Sequence, residues 1–180
     1  NNKLNTIPDE AWGLDSIAWL ELDNNNISHI PENIKNAKSL NALFLSNNTL
    51  SVIKSYLFQP TLVSLMLDGN NIRHIPVEIS KLMNKLQMLK LQNNKIVDIP
   101  AEIGQLNALW MLDLRNNSIS SFPKEMTIFG KKTTKNKYLY IYGNPICSNG
   151  WRSSDAATAD IKQLMESSKA GCTKQCSPYC

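Results

Sequence analysis

The chain has 180 residues, a mass of 20.3 kDa, a net charge of +4 and a sequence pI near 8.8. With 42% hydrophobic and 19% charged residues it can bury a core, which excludes a disordered tail. Its length excludes several enzyme-sized domains, its mild charge excludes a dedicated nucleic-acid binder, and no apolar run is long enough to span a bilayer. Leu and Asn each occur 22 times, and so many asparagines in a folded chain indicate a residue that recurs at one fixed structural position.

Asn-Asn pairs recur every 23 residues, beginning at Asn1, Asn24, Asn47, Asn70, Asn93 and Asn116. Around each pair lies the pattern L-x-x-L-x-L-x-x-N-x-L-x-x-I-P. A partial copy fills residues 1–16, and further copies begin near residues 17, 40, 62, 86, 109 and 136. The copy at residue 40 has Lys54 in place of the proline. These residues resemble the leucine-rich-repeat family, and the resemblance covers residues 1–146.

The resemblance implies an α/β solenoid: a curved horseshoe fragment with a parallel concave sheet and a convex side of 3₁₀ or irregular structure. The residue types agree with it. The two leucines of L-x-L point to the same side of a short strand, so stacked copies bury a continuous apolar interior. The Asn that follows can satisfy backbone N–H and C=O groups where the chain turns, and the Ile-Pro step begins the convex return.

Both ends of the chain depart from the repeat. The first copy lacks its strand, so we predict a fragment of a longer protein, with further repeats or a cap upstream. At the other end, Gly143-Asn144-Pro145-Ile146-Cys147 resembles the N-P-x-C ending of many extracellular leucine-rich-repeat domains. Residues 147–180 are predicted to form a C-terminal cap, with a helix from Ser154 to about Lys169 whose apolar face covers the last strand.

The cysteines all lie in the predicted cap: Cys147, Cys172, Cys176 and Cys180. An even number around a short terminal element predicts two disulfides, which belong outside the reducing cytosol. Cys147 must then join one tail cysteine; we favour Cys147–Cys176 with Cys172–Cys180, and the other pairings stay open. A Cys₄ zinc site is the rival interpretation, although C-x-x-C knuckles, the usual form of such sites, are absent from the sequence.

Three N-x-S/T sequons lie next to the repeat asparagines and begin at Asn26, Asn47 and Asn116. They are candidate N-glycosylation sites, and the alternative is unmodified amides that face solvent.

The outward strand positions form the predicted ligand-binding surface, because packing occupies the inward ones. Apolar and aromatic side chains there, flanked by charges of both signs, are more typical of a protein interface than of a solvated surface. The candidate ligand-binding residues are Trp19, Glu21, Asp23, Phe44, Met66, Asp68, Met88, Lys90, Met111, Asp113, Arg115, Tyr138, Tyr140 and Tyr142. Cover by neighbouring side chains or by the cap is the alternative interpretation, above all for the three tyrosines.

Other sites have less support. His29 and His74 occupy one repeat position two repeats apart, too far to share a metal, so no metal and no cofactor are predicted. The basic run Lys131, Lys132, Lys135 and Lys137 lies in the lengthened repeat, where contact with a sulfated glycan or another polyanion competes with simple solvation. The sequence carries none of the common catalytic or nucleotide-binding motifs, which predicts that the protein is not an enzyme.

The sequence thus predicts an extracellular, secreted or cell-surface, receptor-like or adhesion module. It would recognise a protein or peptide ligand on its concave face. Two alternatives stay open: a structural subunit that contacts neighbouring subunits of a larger extracellular assembly, and a cytosolic leucine-rich-repeat scaffold with reduced cysteines.

Overall fold

Short strands stack into the sheet that the repeat pattern predicts. The computed structural model describes residues 2–8, 16–129 and 137–148. In this part of the chain six strands, in sequence order, form one parallel sheet. They are β1 (Trp19–Glu21), β2 (Ala42–Phe44), β3 (Ser64–Met66), β4 (Met88–Lys90), β5 (Met111–Asp113) and β6 (Tyr138–Tyr140). The central leucines pair in register from strand to strand, as Leu43 does with Leu65.

The opposite side of the repeats consists of 3₁₀ helices, as predicted. They span Glu32–Asn36, Ser55–Leu57, Val77–Leu82, Ala101–Gln105 and Lys124–Phe129, and a short α-helix, α1, follows at Pro145–Ser148. Pro31, Pro76 and Pro100 precede three of these helices with φ of −70°, −66° and −69°, the value that the proline ring fixes. Lys54 adopts a similar extended conformation, with φ −90° and ψ 144°, so the second repeat makes the same return without proline.

The apolar interior lies between the sheet and the 3₁₀ helices. The central leucines of β2 to β5 are almost completely buried, and so are apolar side chains from the facing helices, including Ile34, Leu57, Ile79 and Ile103. All of them belong to one contiguous cluster. Because each repeat contributes to the same cluster, stability comes from stacking neighbours rather than from any one repeat.

A ladder of asparagine side chains connects the repeats at the ends of the strands. The Asn48 Nδ2 donates to Leu45 O of its own repeat at 3.1 Å and to Leu22 O of the preceding repeat at 2.9 Å. Its Oδ1 accepts from Ile27 N at 2.9 Å. The equivalent residues are Asn25, Asn70, Asn94, Asn117 and Asn144, and all but Asn25 are buried. The ladder therefore satisfies backbone groups that would otherwise be buried without partners.

The residue before each ladder asparagine adopts a left-handed conformation. Asn24, Asn47, Asn93 and Asn116 have φ between 53° and 58°, and Gly69 and Gly143 occupy the same place in the other two repeats. Asn and Gly are the residues that tolerate this conformation best. Each repeated Asn-Asn pair thus has two roles, a turn followed by a ladder contact. The sequence pattern assigned only the second role. In the repeat with the pair Asn70-Asn71, Gly69 makes the turn, so the first asparagine of this pair is the ladder residue rather than the turn residue.

Several predictions fall on residues outside the described part of the chain. These are the cap helix from Ser154 to Lys169, the tail cysteines, and the basic residues Lys131, Lys132 and Lys135. Cys147 is described and is disulfide-bonded, and its pairing stays a prediction.

Single substitutions at two adjacent asparagines distinguish the ladder role from the turn role. We expect Asn94→Ala to lower the free energy of unfolding by about 2–3 kcal/mol, because the buried Ile72 N–H loses its acceptor, the Asn94 Oδ1 at 2.9 Å. In contrast, Asn93→Gly should change it by no more than about 0.5 kcal/mol, because Asn93 is exposed and glycine adopts its φ of 57° without strain. Urea denaturation of both variants measures the difference. Equal losses would contradict the separate roles.

Candidate functional site

The outward face of the sheet is the candidate site, and we call it the concave face. Register places three rows of side chains across the strands: one before each central leucine, one between the two leucines, and one just after the second. The rows contain all the predicted candidates, and the third row lies just beyond the ends of the strands. Strand alternation alone therefore positions these residues side by side.

An aromatic pair lies at the β1–β2 end of the concave face. The rings of Trp19 and Phe44 stack with centroids 4.8 Å apart and an interplanar angle of 27°. The Trp19 Nε1 donates to the Glu21 Oε1 at 2.8 Å, yet 62% of Trp19 stays exposed. The tryptophan is thus held on the surface in one orientation, which is the arrangement of an aromatic anchor at an interface.

A second aromatic group lies at the β5–β6 end. Trp110 and Tyr138 pack edge to face with centroids 6.0 Å apart, and Tyr138 and Tyr140 stack at 6.4 Å. Tyr138 is 38% exposed. Trp110 was not among the predicted site residues, because it lies one position before the three rows that the strand pattern defines. Its aromatic character beside Met111 was the available signal.

Arg115 connects this second group to the sheet. Its Nε donates to both carboxylate oxygens of Asp113, at 2.8 and 2.9 Å, and its guanidinium lies 5.5 Å from the Tyr140 ring centroid and 5.3 Å from that of Tyr142. The hydrogen bond with Asp113 raises the pKa of Arg115 above its already high ordinary value. The arginine therefore stays charged, its charge is offset by Asp113, and it orients the two tyrosines.

Two candidates predicted to face solvent are buried, so their predicted exposure is wrong. Met66 is 7% exposed and Asp113 is 3% exposed. Met66 lies outside the interior cluster and is in register with Phe44 and Lys90 on the two neighbouring strands. Asp113 is enclosed by its bonds to Arg115. The outward apolar residues between the two aromatic groups, Met88 and Met111, are half-buried.

The third row is polar. The Asp23 Oδ1 accepts from Ser46 N at 2.6 Å, and the Asp68 Oδ1 accepts from the Ser46 Oγ at 2.7 Å. Tyr142, at the far end of this row, is partly buried against the core. Between them, Gln92 has a buried Oε1 without a hydrogen-bond partner in the described residues. This row therefore carries charge at its β1–β3 end and an aromatic ring at its β6 end.

The remaining candidates lie away from the concave face or outside the described residues. His74 pairs through Nδ1 with the Asp98 Oδ1 at 2.8 Å, on an exposed flank. Burial lowers the pKa of Lys137, whose Nζ lies 3.5 Å from Asn107 O. Within the described ranges, no three or more His, Cys, Asp or Glu side chains are placed to hold a metal ion. None of the helices described there is long and apolar enough to cross a membrane.

Comparison with known proteins gives the family. A family model described as leucine rich repeat matches residues 60–119. The plant peptide hormone receptor RGFR1, in complex with RGF2, aligns at 26% identity over 77% of this chain and 26% of its own, with a TM-score of 0.65. The ectodomain of the Arabidopsis thaliana membrane receptor kinase GASSHO1/SCHENGEN3, in complex with CASPARIAN STRIP INTEGRITY FACTOR 2, aligns at 29% identity over 77% and 17%, with the same TM-score.

A bacterial structure is also similar. A leucine-rich-repeat protein of Leptospira interrogans aligns at 29% identity over 92% of this chain and 51% of its own, with a TM-score of 0.54. The chain carries leucine-rich repeats, and its structure resembles those of leucine-rich-repeat receptors. It spans between about a sixth and about half of the length of these proteins. Comparison with curated protein sequences finds no match.

Paired truncations test which side of each strand faces the interior. We expect Trp19→Ala to cost only about 1 kcal/mol, the value of its stacking on Phe44. Leu65→Ala should cost roughly 2–5 kcal/mol, because Leu65 is fully buried. Thermal or urea unfolding compares the two. If Trp19→Ala unfolds the chain as readily as Leu65→Ala does, the assignment of the concave face is wrong.

Proposed function

We propose that this protein is an extracellular binding module that recognises a protein or peptide ligand on its concave face. The observation that carries the proposal is the exposed Trp19, held by Phe44 and Glu21 at a strand position that normally bears a small or polar side chain. An ordered, exposed tryptophan offers large contact area at little cost in side-chain entropy. Two similar structures hold a bound partner: the plant peptide hormone receptor RGFR1 with RGF2, and the GASSHO1/SCHENGEN3 ectodomain with CASPARIAN STRIP INTEGRITY FACTOR 2.

The role is binding rather than catalysis. The strongly bonded polar pair of the concave face, Asp113 and Arg115, is mutually satisfied and supports aromatic rings. It therefore presents no free acid or base at a cleft. The aromatic groups at the two ends supply apolar anchors instead, which suits recognition of another chain.

The extracellular assignment is supported by chemistry at the edges of the repeats. Cys147 is disulfide-bonded, and a cap stapled by Cys147, Cys172, Cys176 and Cys180 suits an oxidising compartment. Asn26, Asn47 and Asn116 are all exposed. The Nδ2 of each, the atom that a glycan would join, donates one hydrogen bond to an asparagine of the preceding repeat, so its second hydrogen is the one that a glycan would replace. The glycans would lie beside the concave face and leave its aromatic groups accessible.

Partner capture with matched surface variants tests the binding role. The intact chain and a Trp19→Ala/Tyr138→Ala variant are used as baits for secreted and cell-surface proteins of the source cells, and the affinity of a captured partner is then measured with purified proteins. We expect the double variant to weaken binding at least about tenfold, since buried aromatic anchors carry about 2 kcal/mol or more each. Val77→Ser, on an exposed 3₁₀ helix, serves as the control and should leave the affinity unchanged.

The size of the purified chain separates ligand recognition from a structural role. A monomer in dilute solution agrees with ligand recognition. An obligate oligomer that the Trp19→Ala/Tyr138→Ala variant dissociates would instead support a structural subunit packed through the concave face.

Peptide mapping without reduction tests the compartment. We expect no free thiol among the four cysteines of protein isolated from its source, because two disulfides should form in an oxidising compartment. Enzymatic removal of N-glycans should, in addition, convert occupied sequon asparagines to aspartate, which mass spectrometry detects. Four free thiols together with unmodified sequons would contradict the extracellular assignment and favour a cytosolic scaffold.

A further inference from the structure

The charged side chains of the concave face are separated by sign along the stack of strands. Glu21, Asp23 and Asp68 belong to β1–β3 and the residues that follow them, and no lysine or arginine occupies the three concave rows there. Lys90 and Arg115 belong to β4 and β5. Neighbouring strands lie about 4.8 Å apart and residues about 3.3 Å apart along a strand, so the three negative charges fall within about 12 Å of one another.

The three carboxylates have no basic partner in the described part of the chain. Within residues 2–8, 16–129 and 137–148, no Lys, Arg or His lies within salt-bridge distance of any of them. Asp23 and Asp68 are fixed from opposite sides by Ser46, which bonds to one oxygen of each. Glu21 is fixed by the Trp19 indole. The negative field at this end is therefore preorganised, and it lies beside an exposed aromatic face.

The other half of the concave face has the opposite character. Lys90 forms no salt bridge in the described part of the chain, whereas Arg115 is paired with Asp113. The net charge of these three residues is +1. The aromatic group of Trp110, Tyr138 and Tyr140 lies beyond them.

The two aromatic ends are separated by five strand spacings. At about 4.8 Å per spacing this is about 24 Å, which an extended peptide of about seven residues spans at about 3.4 Å per residue. A chain lying across the strands can therefore reach both aromatic groups and both charged halves at once.

We infer that the ligand on the concave face is an extended peptide segment of at least about seven residues with separated charges. A basic side chain beside an apolar or aromatic one lies over Trp19, Asp23 and Asp68. An acidic side chain lies over Lys90, and a second apolar residue contacts the β5–β6 aromatic group. A basic side chain over the third row is attracted by the Asp23 and Asp68 carboxylates, while the apolar or aromatic residue next to it packs on Trp19, which makes this half the stronger determinant of specificity. The inference rests on the proposed function and adds the chemistry of the partner.

A library of displayed random nonapeptides, selected against the immobilised full chain, tests the inference. We expect enrichment of peptides that carry Lys or Arg next to an aromatic residue and Asp or Glu several positions away. A synthetic peptide of the selected sequence should bind Asp23→Asn/Asp68→Asn at least about tenfold more weakly, since two charge contacts are lost. Asparagine can still accept the Ser46 hydrogen bonds, so this variant keeps its fold.

Two further variants make the test specific. Lys90→Gln should abolish the selection for acidic residues and leave the selection for basic residues. Glu78→Gln/Glu102→Gln removes two charges from the 3₁₀ helices on the other side and should change neither.

The outcomes distinguish this inference from the proposed function. Peptides that need Trp19 and Tyr138 but show no charge preference would overturn the charge assignment and leave the binding role standing. Selection that yields no peptide sensitive to Trp19→Ala/Tyr138→Ala would overturn both. Dimers that dissociate in Asp23→Asn/Asp68→Asn would identify a second copy of the chain as the occupant and overturn the peptide assignment.

Discussion

The structure depends on a buried side-chain ladder more than on any single strand. Each strand has only three residues, so backbone N–H and C=O groups reach the turn immediately and must be satisfied there. An asparagine amide does this with one donor group and one acceptor group. Asn117, for example, donates to carbonyls of two successive repeats and accepts from the Ile96 N–H. Because every rung connects two repeats, the strands stay in register, and the rows of the concave face follow from that register.

The turn before the ladder has its own requirement. The chain must enter a left-handed conformation, and Asn or Gly provides it in each of the six repeats described. Where two successive repeats both have asparagine in this position, their side chains form a second, exposed contact. The Asn47 Nδ2, for example, donates to the Asn24 Oδ1 at 3.0 Å. Gly69 interrupts the series, since a Cβ there would come within 2.2 Å of the Asn47 Oδ1. The abundance of asparagine thus reflects two structural positions per repeat.

Regular strands leave the concave face free to specialise. Its residues contribute little to the interior, so aromatic and charged side chains accumulate there without loss of the core. Their arrangement is nevertheless cooperative. Arg115 is held by Asp113 and in turn packs on Tyr140 and Tyr142. The two opposite charges offset each other, and together they fix the orientation of the aromatic rings. At the other end Glu21 fixes Trp19. Both arrangements reduce the side-chain entropy lost on binding.

The sequence by itself determined the repeat period, the strand positions, the inward leucines and the ladder asparagines, because each follows from local periodicity and from the chemistry of one side chain. It also identified Trp19 and Phe44 as outward. Only the tertiary structure decided that Met66 and Asp113 are covered and that Trp110 joins the aromatic group. Exposure at an outward strand position depends on how far the side chains of adjacent strands extend over it. That property belongs to neighbours about 23 residues away, and no local pattern contains it.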